Sequence, residues 1–78
     1  MKDFKEATLN GGQPYVVVRN NQVELRKTGF TGPLTFFGQG ATSAILSGDT
    51  VVVTFKDGRV AEYQLTPGNN SVIHIRNL

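Results

Sequence analysis

Two stretches of this chain alternate apolar and polar side chains on both sides of a turn signal, and an antiparallel sheet is the simplest way to hide the apolar half of each. The first runs Pro14-Tyr15-Val16-Val17-Val18-Arg19, then Asn20-Asn21, then Gln22-Val23-Glu24-Leu25-Arg26-Lys27. Asparagine tolerates positive φ better than other residues that carry a side chain, so a two-residue loop of type I′ is expected. That loop pairs Arg19 with Gln22, Val18 with Val23, Val17 with Glu24, Val16 with Leu25 and Tyr15 with Arg26. One face then carries Val16, Val18, Val23 and Leu25 and belongs to the core. The other carries Tyr15, Val17, Arg19, Gln22, Glu24 and Arg26.

In the second stretch, Thr50 to Phe55 and Arg59 to Leu65, the register follows from a choice between two loops. A two-residue Asp57-Gly58 loop pairs Val53 with Glu62 and sets a carboxylate among apolar side chains, which is costly. A three-residue Lys56-Asp57-Gly58 loop, with Gly58 in a left-handed bulge, pairs Phe55 with Arg59, Val53 with Ala61 and Val51 with Tyr63. Val51, Val53, Phe55, Ala61, Tyr63 and Leu65 then share one face, so the bulged register is the expected one.

Further strands are expected around Leu34-Thr35-Phe36-Phe37 and Ser71-Val72-Ile73-His74-Ile75-Arg76, with a weaker one at Ser43-Ala44-Ile45-Leu46. Thr28 to Pro33 and Gly38 to Thr42 read as turns or loops. Residues 3–8 read as a short N-terminal helical turn capped by Asp3 with Glu6 at the capping-box position, or else Lys5 to Leu9 form a leading strand. The expected fold is an all-β single domain over residues 1–78: five to six antiparallel strands in meander order, as a small barrel or a two-layer sandwich. Its core combines Val16, Val18, Val23, Leu25, Phe36, Val51, Val53, Phe55, Ala61, Tyr63, Ile73 and Ile75. The halves also resemble each other, Ala7–Gly11, Val16–Val18 and Gln22-Val23 matching Ala44–Gly48, Val51–Val53 and Arg59-Val60, which is the pattern of a pseudo-twofold internal repeat.

Seventy-eight residues without a cysteine must be held by packing or by self-association, because no disulfide or thiolate metal site is available. The start, Met-Lys-Asp-Phe-Lys-Glu, is charged where a signal peptide is apolar, and no apolar run approaches the ~18 residues of a membrane span. A soluble cytoplasmic protein is expected, with no membrane partner. A net charge of +2 permits a nucleic-acid partner without demanding one.

No chemistry-bearing pattern stands out. Gly38-Gln39-Gly40-Ala41-Thr42 lacks the Gly-Lys-Ser/Thr of a phosphate-binding loop. His74 is the lone imidazole and alternates outward if Ile73 and Ile75 face the core. The six acids are scattered, with Asp57 in a turn and Asp49 at a strand entry. The expectation is a non-enzymatic protein with no catalytic, metal-binding or cofactor-binding residues and no small-molecule substrate.

Two surfaces remain. Large apolar groups are left over once one core is filled: Phe30 in a Thr-Gly-Phe-Thr-Gly-Pro loop, Phe37 beside Phe36, and Val17 and Val52 on outward faces. They predict a protein interface, most simply with another copy of the chain, and hence a self-associating binding or assembly module. The alternative is a single-stranded nucleic-acid-binding small β-barrel, stacking bases on Tyr15 and holding phosphates with Arg19, Arg26 and Lys27.

Overall fold

The first hairpin forms in the register that its asparagine turn dictates. The computed structural model describes residues 12–68 and 70–78. Within them β1 (Pro14–Arg19) pairs with β2 (Gln22–Lys27) from Arg19 opposite Gln22 to Pro14 opposite Lys27. Asn20 and Asn21 both take positive φ, 54° and 59°, as a type I′ turn requires. β3 (Thr35–Phe37) adds to the free side of β2, with Val23 opposite Phe37 and Leu25 opposite Thr35, completing a three-stranded sheet.

A four-stranded sheet follows, in the order β4 (Ala41–Ser47), β5 (Thr50–Phe55), β6 (Val60–Leu65) and β7 (Val72–Asn77). The second hairpin adopts the bulged register, with Val51 opposite Tyr63 and Val53 opposite Ala61. Phe55 N–H donates to the Arg59 carbonyl at 2.8 Å, and Gly58, at φ 93°, donates to the Phe55 carbonyl at 2.9 Å. The Asp57 side chain accepts from the Arg59 backbone N–H at 3.0 Å and from its Nε at 2.7 Å, closing the turn. The meander order is as expected, but the described residues form seven strands, not five or six. The weakest of the expected strands is the longest observed: β4 spans seven residues.

Among the described residues the two sheets are separate and do not close into a barrel. Closure would need β4 to continue the ladder beyond β3, and instead the chain turns through Gly38–Gly40 and starts β4 on the tip of the first hairpin. Gly40 and Ala41 N–H both donate to the Asn21 carbonyl, at 2.7 and 3.1 Å. β1 and β4, each an edge of its own sheet, lie side by side. Gly38 permits the turn: its φ is 69°, and a β-carbon there would sit 3.1 Å from Val23 Cγ2 and 3.4 Å from Val53 Cγ1.

One buried cluster is drawn from both sheets: Val23 and Leu25 of β2, Ala41 of β4, Val51, Val53 and Phe55 of β5, and Ala61 and Leu65 of β6. Leu25, Val23, Val51 and Val53 are fully buried, each contributing about 1.5–3 kcal/mol of transfer free energy. The hairpins fill this core from matching positions, Val16–Leu25 and Val18–Val23 in one and Val51–Tyr63 and Val53–Ala61 in the other. The remaining arm of the repeat, Ala7–Gly11, and the helical turn or leading strand expected within residues 3–9 lie outside the described residues.

Three expected core residues face solvent. Phe36 is 54% exposed, and its neighbour Phe37 packs on the cluster, because the pairing of Phe37 with Val23 turns that ring inward. Ile73 and Ile75 are 54% and 43% exposed. Val72 lies opposite buried Leu65 and His74 opposite Tyr63, so Ile73, opposite Gln64, points the other way.

Candidate functional site

The outward face of the three-stranded sheet is organised around Glu24. Its cross-strand neighbours are Val17 and Phe36, and the carboxylate is nearly buried at 6% exposure. Burial of a charge is tolerable only with a partner. Arg26 Nε donates to Glu24 Oε1 at 2.9 Å, and Arg19 Nε lies 4.0 Å from Oε2. The bonded carboxylate in turn holds the Arg26 guanidinium above its ordinary pKa. Tyr15, opposite Arg26, is partly exposed.

Of the four residues expected to contact nucleic acid, Tyr15, Arg19 and Arg26 thus share one face, and Lys27 does not. Lys27 has the parity of Val23 and Leu25, turns to the core side and is 7% exposed. Its Nζ donates to the Gly68 carbonyl at 2.8 Å and to Asn70 Oδ1 at 3.2 Å, and lies 5.9 Å from the centre of the Phe30 ring.

The four expected interface residues are dispersed. Val17 lies on the outward face of one sheet and Val52, opposite Ile45 and Glu62, on that of the other. Phe37 is half-buried, its ring centre 4.9 Å from that of Tyr63. Phe30 is 47% exposed in the link between β2 and β3.

A different patch forms on the outward face of β4–β7. Ile45, Val52, Glu62 and Arg76 make one row across the four strands, and Ser47, Thr50, Gln64 and Ile73 make the next. Ile75 sits at a bulge between these rows, and Leu78 N–H donates to the Val60 carbonyl at 2.8 Å just beyond β7. Ile45, Ile73, Ile75 and Leu78 supply four of the seven large apolar side chains exposed to solvent. Among them Arg76 Nε donates to Glu62 Oε1 at 2.9 Å. Parity was the missing signal: in Ala44-Ile45-Leu46 every residue is apolar, and only pairing of Ala44 with Val53 and Leu46 with Val51 sends Ile45 outward.

His74 packs edge-on against Tyr63, ring centres 5.2 Å apart, with Nε2 3.0 Å from Asn77 Oδ1. Among the described residues there is no pocket and no grouping of three or more His, Asp or Glu. No helix among them is long and apolar enough to cross a membrane.

No family model, no curated protein and no solved structure matches this chain. A functional reading therefore starts from its surfaces.

Proposed function

We propose that this domain is a non-enzymatic protein-binding or assembly module that works through the outward face of β4–β7. The observation that carries the reading is the gathering of Ile45, Ile73, Ile75 and Leu78, all well exposed, on and beside one sheet face. Ile73, Ile75 and Leu78 follow one another along and just beyond β7, with Ile45 at the opposite edge of the same sheet; exposed large apolar side chains grouped on a small domain mark an interaction site, whereas single scattered hydrophobes need no explanation.

A protein partner is favoured over nucleic acid by how the cations are used. Arg26 is bonded to Glu24, Lys27 is bonded to Gly68 and Asn70, and Arg76 is bonded to Glu62, so that of the cations expected to hold phosphate only exposed Arg19, 4.0 Å from Glu24, makes no short bond. A phosphate-binding surface needs its cations free to exchange counterions for phosphate.

The test is a photo-crosslinking residue placed at position 73 of the full chain expressed in cells. The expected result is a discrete protein adduct that is lost when Ile75→Asp is added. Labelling of nucleic acid, or no adduct at all, overturns the reading.

A further inference from the structure

The geometry points to Asn70 as a site of covalent self-modification, at which the side-chain amide leaves as ammonia through a cyclic imide and the Lys27 ammonium stabilises the oxyanion that forms on Oδ1. The inference is independent of the protein-binding reading and concerns the link between β6 and β7.

Three groups meet there. Asn70 is exposed just before β7 and is followed by Ser71, whose small side chain crowds ring closure little. The Thr66 N–H and Oγ1 both donate to the Ser71 carbonyl, at 3.0 and 3.2 Å, and hold Ser71 beside the end of β6. The return bond, from the Ser71 N–H to the Thr66 carbonyl, is not made, and among the described residues that N–H has no acceptor. The Ser71 nitrogen is therefore the nucleophile at hand. Lys27 Nζ lies 3.2 Å from Asn70 Oδ1, and its second bond, to the Gly68 carbonyl at 2.8 Å, anchors it in the same link.

The steps balance without an oxidant or reductant. The Ser71 nitrogen attacks Asn70 Cγ, and the carbonyl electron pair moves to Oδ1, where the ammonium already donates. A donor in place where charge develops lowers the barrier without reorganisation, and it is worth more out of water, as at Lys27, which is 7% exposed. The oxyanion collapses, the Cγ–Nδ2 bond breaks, and Nδ2 departs as ammonia with the proton given up by the Ser71 nitrogen. Water then opens the imide. Attack at Cγ leaves aspartate at position 70, and attack at the main-chain carbonyl leaves isoaspartate.

The other described asparagines lack this set. Asn20 and Asn21 precede the longer side chains of Asn21 and Gln22, and the Asn21 amide donates to the Ala41 carbonyl at 3.4 Å. Asn77 precedes Leu78, whose N–H is held by the Val60 carbonyl at 2.8 Å. The modification also changes how the sheets are joined. Aspartate at position 70 turns a hydrogen bond between β2 and the β6–β7 link into an ion pair, whereas isoaspartate adds a carbon to the main chain and moves the carboxylate away from Lys27.

The experiment is peptide mapping by mass spectrometry of the purified full chain, sampled during a warm incubation at mildly alkaline pH. Among Asn20, Asn21, Asn70 and Asn77, Asn70 is expected to convert first. Lys27→Met is expected to slow conversion at Asn70 several-fold and leave the other three unchanged, and Lys27→Arg, which keeps a cationic donor, is expected to retain most of the rate. An intact Asn70 while another of the four converts, or an undiminished rate at Asn70 in folded Lys27→Met, overturns the proposal. Should Lys27→Met unfold the chain, the unaltered chain is compared with itself in urea. The folded chain is expected to convert Asn70 faster than the unfolded one, and the reverse order overturns the proposal.

Discussion

Lys27 Nζ on β2 donates to the Gly68 carbonyl at 2.8 Å, tying the three-stranded sheet to the β6–β7 link of the other sheet. The ammonium lies under Phe30 and also reaches Asn70 Oδ1, and the residue is buried, so the bond is a fastening between sheets. Lys27→Met keeps most of the stem and removes the donor. Net hydrogen bonds from a charged donor contribute about 1.5–3 kcal/mol, and the low end applies because Gly68 and Asn70 are exposed and can turn to water. A loss of about 1.5 kcal/mol is expected from the urea midpoint. An unchanged midpoint would show that the fastening is not stabilising.

The two asparagines of the first turn carry positive φ and are expected to be intolerant of alanine. Asn20→Ala forces a β-carbon into the left-handed region without the local polar contacts of asparagine, and is expected to cost about 1 kcal/mol. Asn20→Gly accepts the same dihedrals and is expected to hold the midpoint. Equal losses in both variants would mean that the Asn20 side chain, not its backbone angle, sets the cost.

Gly38 and Gly58 separate backbone strain from crowding. Both have positive φ, but a β-carbon at Gly58 meets nothing within 4 Å, while one at Gly38 meets Val23 at 3.1 Å. Gly58→Ala is expected to cost about 1–2 kcal/mol from its dihedrals alone. Gly38→Ala adds overpacking of the buried cluster, for a total of about 3 kcal/mol. Chemical denaturation of the two variants side by side checks the order, and a larger loss at Gly58 would contradict it.

Asp57 gives the second hairpin an acid limit. The Arg59 backbone N–H and then its guanidinium stabilise the carboxylate and hold its pKa below the ordinary value. A group depressed on folding contributes fully above its unfolded pKa, about 4, and loses that contribution as pH falls through the lower folded value. Acid titration of the amide resonances of residues 55–59 is expected to show loosening of this turn below about pH 4, an effect absent from Asp57→Asn. A turn that loosens identically in both would assign the effect elsewhere.

Sequence patterning resolved both hairpins to the residue because each contained one position that only a single register could satisfy. At Asn20-Asn21 the constraint was backbone, and at Glu62 it was the cost of burying a carboxylate. Where apolar residues are adjacent, the same reasoning has no purchase. Phe36-Phe37 fits either parity, and in Val72-Ile73-His74-Ile75 the pairs Val72/His74 and Ile73/Ile75 compete as inward faces. The structure decides through partners distant in sequence, Val23 for Phe37 and Leu65 for Val72. The outward patch on β4–β7 is illegible for this reason, since alternation alone fits Ile73 and Ile75 to the core as readily as to solvent and gives Ile45 no face. Lys27 is legible from parity, which it shares with Val23 and Leu25 and which points it inward.

Among the described residues every strand pair joins neighbours along the chain, and the boundary between the sheets falls in the short link Gly38–Gly40. Cleavage there would sever no ladder of hydrogen bonds. It would leave two meanders whose attachments among the described residues include the shared apolar cluster, the Lys27 contacts, the bonds to the Asn21 carbonyl and the Asn21 side-chain bond to the Ala41 carbonyl. The link therefore acts as a tether that sets the effective concentration of one sheet around the other, and separate peptides ending and beginning at that point form a natural pair for fragment complementation.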